Sequence, residues 1–361
     1  MNKMSTKHFM FFIIATCTIA LRSYSSIFIS YGGSDSWIVS ILASIFIFLY
    51  FLALMHICEK TKTYDFIYIV KNSTSNIIGK LLLLIFSIGL FISSIESASV
   101  ECSSIHTNFF LSTPTWYCLI FFLISSGYVL NRRFNSIIIL VVITVFFVLI
   151  GDIILFALVS KYLDFKNLSP LLKDGFNKNI WMCLLEIIGS LSAVSISLLY
   201  LRNLDLKKYL VRYSSFAIII SGLLVTFSFL SIITFFGPER GANIFYPEYV
   251  QSQRVQIASF LEFGELFYIF RSTCMWFIKY ILCSYGILFI YKDKINNKKL
   301  FIVLYNTIIF IASYILTQNQ FFLFYILKIL QIVNGFIYLL IPAICFSLYY
   351  FRNNKTIKST K

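Results

Sequence analysis

Apolar residues run along this chain in long blocks separated by short polar clusters. A membrane helix needs roughly 20 mostly apolar residues to cross the ~30 Å hydrocarbon layer. Ten blocks approach or exceed that length, at about residues 8–30, 37–58, 81–106, 114–130, 136–160, 181–201, 212–236, 265–291, 300–317 and 325–350. None alternates with the period of two that a lipid-facing barrel strand requires. The pattern therefore predicts an all-α polytopic membrane protein, a single integral membrane domain over 1–361 with ten transmembrane helices. Lys3 and Lys7 precede the first block as in a signal peptide, but its apolar run is too long and lacks a convincing small-x-small cleavage site, so it is read as the first membrane helix. Between blocks, residues 59–80 alternate charge with Tyr, Phe and Ile, which suits a short helix lying in the interface. Residues 161–180 and 237–264 form two longer loops on the opposite side.

Composition agrees and removes other classes. Of 361 residues, 59% are hydrophobic and 12% charged, where a soluble domain carries roughly 25% charged residues. The net charge of +15 would suggest nucleic acid in a soluble protein. Here its distribution tells a different story. With ten crossings both termini share a side, and twenty of the thirty Lys and Arg fall on that side against six on the other. By the positive-inside rule, both termini are expected in the cytoplasm. A DNA binder and a cytosolic enzyme are excluded.

The eight cysteines lie within or at the ends of apolar blocks and form no CxxC pair, so neither a disulfide framework nor a thiolate metal site is expected. The three histidines share no ligand spacing, and there is no P-loop, GxSxG, HExxH or dinucleotide fingerprint. No catalytic residue, metal site or cofactor is expected, and nothing argues for an enzyme.

What stands out is charge inside the blocks. A charged side chain at mid-bilayer costs ~2.5–3.5 kcal/mol on insertion scales, so each needs a partner or a water-filled cavity. Span three carries Glu96 and Glu101, span eight Arg271 and Lys279, span six Glu186, and span one Arg22. The simplest arrangement sets the acids of span three against the bases of span eight across the bundle interior. Structural ion pairs and ligand-facing groups remain alternative readings of these residues. Lys328, near a block end, is expected to snorkel to the interface, and Asp152 to be interfacial.

Polar interruptions are the second signal. Span one contains Arg22-Ser23-Tyr24-Ser25-Ser26 and span six, five spans later, reads GSLSAVSIS from Gly189 to Ser197. Transporters built from inverted repeats place substrate where two matched helices lose regular hydrogen bonding. Close packing of small residues is the competing explanation. The candidate ligand-binding residues are Leu21, Arg22, Ser23, Glu96, Glu101, Glu186, Gly189, Ser190, Arg271 and Lys279.

An ordered set of short stretches adds a resemblance. Asp35-Ser36-Trp37 opens span two and Thr113-Pro114 span four; Leu168-Ser169-Pro170-Leu171-Leu172 and Asp174-Gly175 precede span six. Tyr246-Pro247 and Phe260-Leu261-Glu262 precede span eight, and Pro342 lies in span ten. In this order and spacing, over essentially the whole chain, they resemble the GerAB/GerKB-like spore germination permeases, the B subunits of endospore germinant receptors. That resemblance implies a LeuT/APC-like fold (the amino acid/polyamine/organocation transporter superfamily), with a 5+5 inverted repeat over about 8–160 and 181–350 and broken helices 1 and 6. It also implies residence in the spore inner membrane with an A subunit and a lipoprotein C subunit. The expected ligand is a small germinant, commonly an amino acid, whose binding signals germination. A proton-coupled secondary amino-acid transporter is the alternative. The chain departs from the family pattern at Leu21-Arg22-Ser23, where a glycine-rich break is usual, and at Phe263-Gly264, where an Arg usually follows the Phe-Leu-Glu. A charged Arg22 in the pocket implies a different ligand, an anionic one, or none.

Overall fold

A computed structural model describes residues 4–173, 175–205, 207–255 and 263–359. Asp174 and Phe260-Leu261-Glu262, used above, lie outside the described residues. Within them the chain is all-helical apart from one isolated bridge between Met4 and Leu204.

The first block is three pieces, α1 (Thr6–Cys17), α2 (Ile19–Ser23) and α3 (Ser26–Gly32). Ser5 caps α1 by accepting from the His8 N–H. Near its end, the Thr16, Cys17 and Thr18 side chains all donate to carbonyls one turn back. Such back-bonding competes with the helix ladder and bends it. Tyr24, at φ −122° and ψ 47°, then leaves the helical region before α3 begins.

The chain continues through α4 (Ser36–Thr61), α5 (Phe66–Ser73), α6 (Asn76–Asn108), α7 (Thr115–Asn131), α8 (Phe134–Val159) and α9 (Lys178–Leu191). A 3₁₀ stretch over Ser192–Asn203 follows α9. Then come α10 (Leu210–Phe236), the short α11 (Pro238–Ala242) and α12 (Pro247–Gln253), α13 (Phe263–Ile290), α14 (Lys298–Thr317), α15 (Gln320–Asn334) and α16 (Ile341–Ser359).

Among the described residues, eight helical stretches are long and apolar enough to cross a membrane, with α1 and α7 as shorter apolar helices of 10–17 residues. Eight of the ten expected spans reach that length, and the other two fall on these shorter helices. The polar interruption at Tyr24 leaves α1 short, and α3 runs almost directly into α4 as one stretch, Ser26–Thr61. Pro114 starts α7 late, because it has no N–H and cannot extend the helix backward.

The bundle reverses the burial logic of a soluble protein. Ile41, Ile45 and Leu49 of α4, and Val303, Ile311 and Ile315 of α14, face outward, as lipid allows. Serines, tyrosines and charges face inward. In α6, buried Ser87, Ser94 and Ser97 each donate to the carbonyl four residues earlier, satisfying their hydroxyls within the helix. Small side chains let α6 pack extensively on α13.

Pro342 lacks the N–H that would meet the Tyr338 carbonyl. The preceding turn, Gly335–Leu340, opens into a π-helical turn, and the Tyr50 hydroxyl donates to the Tyr338 and Leu339 oxygens at 3.1 and 3.2 Å.

Two ends of the bundle are distinguishable. At one, Met4 pairs with the end of the 3₁₀ stretch, Arg202 lies 4.0 Å from Asp65, and Arg352 donates to backbone of Asn72 and Thr74. Asp65 caps α5, whose apolar face (Phe66, Ile69, Val70) is buried against α6 and α16. The short helix expected within 59–80 is thus present as α5, and it packs on protein. At the other end, Asp35 accepts from the Leu172 N–H at 3.0 Å, joining two of the stretches quoted above.

Helix α9 crosses α15 at Gly189, where a Cβ would sit 2.0 Å from the Gln331 carbonyl oxygen. Gly189→Ala is expected to destabilise by about 1–3 kcal/mol through overpacking. Gly151→Ala, where a Cβ meets only ordinary contact at 3.4 Å, should be neutral. Thermal unfolding of the two purified variants checks the contrast.

Candidate functional site

All ten candidate residues are buried, and they divide among separate clusters. Leu21 belongs to the apolar core with 0% exposure.

The largest cluster is a four-member charge network. Arg22 on α2 donates from Nη1 and Nη2 to the two Asp152 oxygens on α8 at 2.6 and 2.8 Å, and its Nε lies 3.4 Å from Glu248 Oε1 on α12. Arg271 on α13 donates to the other Glu248 oxygen, and its Nη1 is 3.6 Å from Asp152. The Ser228 hydroxyl of α10 also donates to Glu248. Two cations and two anions, none more than 5% exposed at the side chain, leave no net charge. Bidentate pairing to a planar guanidinium is the strongest geometry available to such a pair.

This arrangement corrects three expectations. Arg271 does not meet Glu101. Asp152 is not interfacial but 2% exposed in the interior. Every nitrogen of the Arg22 guanidinium is already engaged by the protein's own carboxylates, so a free cation awaiting an anionic ligand is absent there. Glu248 is the network member that sequence reading missed. It sits in a segment too polar to be a span, and its only signal is Pro247, which favours a helix start at that point.

A second cluster lies at the interruption of the first block. Lys279 Nζ is 2.9 Å from Glu96 Oε2, and the Tyr24 hydroxyl donates to Glu96 Oε1 at 2.5 Å. Here the acid of span three does face the base of span eight. Gln331 on α15 donates to the Tyr24 hydroxyl at 3.0 Å, and Trp276 Nε1 donates to Ser23 at 3.0 Å while its ring stacks on Tyr24. The departure of Tyr24 from helical geometry thus aims its hydroxyl at a buried carboxylate. Glu101 is separate: it accepts from the Ser272 and Thr273 hydroxyls, both at 2.6 Å, with no cation within ion-pair distance among the described residues.

The third feature is drawn from the buried polar atoms with no hydrogen-bond partner among the described residues. Ser25 Oγ, Glu186 Oε2, Ser190 Oγ, Gln331 Oε1 and Asn334 Oδ1 are among them, as are Arg271 Nε and Nη1 in the charge network and single atoms of Trp37, Ser44, Ser214 and Gln320. Glu186 and Ser190 are four apart on α9 and share a face. Gly189 touches Gln331, and the Ser192 hydroxyl donates to the Asn334 carbonyl at 3.1 Å. Unpaired buried polar atoms are uncommon because each forfeits its hydration. Several on neighbouring elements mark a place where a polar ligand would be stabilised.

A cavity of about 310 Å³ lies between Ser26 and Ser30 of α3, Phe245 before α12, and Phe324 and Lys328 of α15, and none of the five unpartnered residues lines it. Lys328 lies half-buried at its wall with Nζ 4.7 Å from the Tyr31 ring.

Removing Lys279 would leave Glu96 charged and buried with no cation, a loss of about 3–5 kcal/mol for a broken buried pair. Lys279→Met is expected to lower the unfolding temperature sharply, and Glu96→Gln added to it should recover most of that loss. Melting curves of the single and double variants in detergent provide the check.

Comparison with known proteins fits this geometry. The chain is similar to a solved Na⁺-coupled sialic acid symporter in a substrate-bound outward-open state, with 10% identity, a TM-score of 0.59 and coverage of 93% of this chain and 76% of that one. It is also similar to a manganese transporter of Eremococcus coleocola carrying one substitution, with 14% identity, a TM-score of 0.61 and coverage of 94% and 78%. At these identities the likeness establishes a shared transporter fold. No curated protein matches the chain. The profile of the spore germination protein family matches residues 4–321, from α1 to the start of α15. The chain is a multi-pass membrane protein that belongs to the spore germination protein family.

Proposed function

We propose that this protein is the B subunit of a spore nutrient-germinant receptor, holding a small germinant, best matched by an amino acid, within a transporter-like fold. In this reading α1–α3 and the α9–3₁₀ run are the broken helices 1 and 6 of a 5+5 inverted repeat. Both termini are cytoplasmic, in accord with the charge bias, and the protein resides in the spore inner membrane with an A subunit and a lipoprotein C subunit. The observation that carries the proposal is the set of unpartnered polar atoms of Ser25, Glu186, Ser190, Gln331 and Asn334 beside the interrupted first helix.

A zwitterion suits that lining. Glu186 offers a carboxylate to an ammonium group, and Ser25 and Ser190 offer hydroxyls to a carboxylate. Binding stronger in one packing of the bundle than in another shifts the population toward the signalling packing; binding equal in both shifts nothing. No covalent chemistry is required. Arg22 and Arg271 serve in this account as neutral supports of the pocket rather than as ligand groups.

A second reading, a proton-coupled secondary amino-acid transporter, draws on Glu101, a buried carboxyl hydrogen-bonded only to hydroxyls. Such an isolated intramembrane acid suits a proton-carrying group. Purified protein in proteoliposomes separates the two. The receptor reading predicts no concentrative amino-acid uptake under an imposed proton gradient, whereas uptake abolished by Glu101→Gln would favour the transporter.

Spores whose response depends on this gene, screened with single amino acids, test the binding site. Glu186→Gln and Ser190→Ala are expected to raise the half-effective concentration of the active amino acid by about tenfold, near the ~1–3 kcal/mol of a lost hydrogen bond to a charged group, at unchanged protein level. A wild-type dose response from both variants would overturn the site.

A further inference from the structure

A concavity on the end of the bundle that carries Met4 is separate from the clusters above. It has a volume of about 690 Å³ and lies between the end of the 3₁₀ stretch, the end of α13 and the starts of α8 and α14. Four cations line it, Arg202, Lys207, Lys292 and Lys298, against a single acid, Asp205. Its apolar wall is aromatic, built from Phe134, Tyr285 and Phe289, whose rings pack on one another.

The cations engage rings and carbonyls more than carboxylates. Arg202 lies over Phe289 at 5.3 Å and Lys298 over Tyr285 at 5.7 Å, with its Nζ 3.5 Å from the Arg132 carbonyl oxygen. Lys207 lies over Tyr64 at 4.1 Å. Arg202 reaches Asp65 only at 4.0 Å, with both side chains more than a third exposed, which neutralises little. Lys292 is exposed and forms no ion pair among the described residues. Setting membrane topology needs basic residues on this end, but it does not require four of them to converge on one concavity with a ring-lined wall. A cleft lined by one sign of charge with low-dielectric walls concentrates counter-ions by about 10–10³-fold, and the volume falls within the roughly 300–1,000 Å³ of small-molecule sites.

We propose that this cavity binds a phosphate-bearing ligand, its anionic phosphate among the four cations and its apolar portion on the aromatic wall. The phosphate belongs either to a free small molecule or to the headgroup of an anionic phospholipid. None of the lining residues contributes to the charge network or to the germinant pocket, so the site stands or falls independently of the receptor reading.

The test uses the full-length protein purified in detergent without anionic lipid. One arm titrates inorganic pyrophosphate by thermophoresis. The other measures retention of phosphatidylglycerol against phosphatidylcholine by native mass spectrometry. The cavity variant is Lys292→Gln/Lys298→Gln, and Lys71→Gln/Lys80→Gln removes two charges outside the cavity. The expected result is saturable, salt-sensitive binding in at least one arm, weakened about tenfold in the cavity variant, in proportion to the local concentration a charged cleft provides, and unchanged in the control. Pyrophosphate binding identifies a free phosphate ligand, and selective phosphatidylglycerol retention identifies the lipid. If the double variant melts abnormally, Lys292→Gln alone, an exposed side chain, supplies the comparison. Absence of saturable binding in both arms, or equal weakening by cavity and control variants, would overturn the proposal.

Discussion

A guanidinium or carboxylate carried into the hydrocarbon layer has no bulk water around it, so the protein must supply both its counter-charge and its hydrogen bonds. That constraint organises this molecule. Arg22, Asp152, Glu248 and Arg271 come from four separate elements, α2, α8, α12 and α13, and each is balanced only by a partner on another element. Meeting the constraint draws the short α12 into the bundle, where Tyr246, Glu248, Tyr249 and Ser252 are all buried. It also fixes α2 beside α8, next to the place where the first helix is interrupted. Glu96 acts in the same way one layer along. Its need for partners holds Lys279 and draws Tyr24 out of helical geometry. Polar satisfaction and the shape of the backbone are therefore one problem here rather than two.

The fold class was legible in the sequence because the bilayer imposes a length on every apolar block. The blocks therefore marked the helices well, including the short α7. What the blocks could not convey was continuity. The interruption at Tyr24 shortens the first helix while α3 and α4 almost merge, and both outcomes depend on contacts with residues distant in sequence. Lys279 and Glu96 were readable as partners because both lie in unmistakable spans. Glu248 was not, because its segment is polar enough to pass for a surface loop, and only tertiary contact shows it buried. Asp152 was misjudged for a related reason: nearness to a block end says nothing about which side of a helix faces the interior.

The same contrast applies to the polar pocket. Gly189 and Ser190 stood out as small, hydroxyl-rich sequence, a pattern equally suited to close packing, and Gly189 does pack closely on Gln331. The unpartnered atoms of Glu186, Ser190, Gln331 and Asn334 add information that no spacing rule carries. Charge that is balanced within the protein and polar atoms that are left unbalanced thus have different meanings. The first holds the bundle together beside the interrupted helix, and the second offers contacts to a ligand.

The central claim, that a self-neutralising network fixes the interrupted helix in place, is most directly tested by a double-mutant cycle on Arg22 and Asp152. Unfolding free energies of purified Arg22→Gln, Asp152→Asn and the double variant would be compared with the wild type. Each single substitution leaves one buried charge uncompensated, whereas the double leaves the Arg271–Glu248 pair neutral. The account predicts that the double variant is more stable than either single one, with a coupling of more than about 1 kcal/mol. Additive losses, with the double variant the least stable of the three, would contradict it.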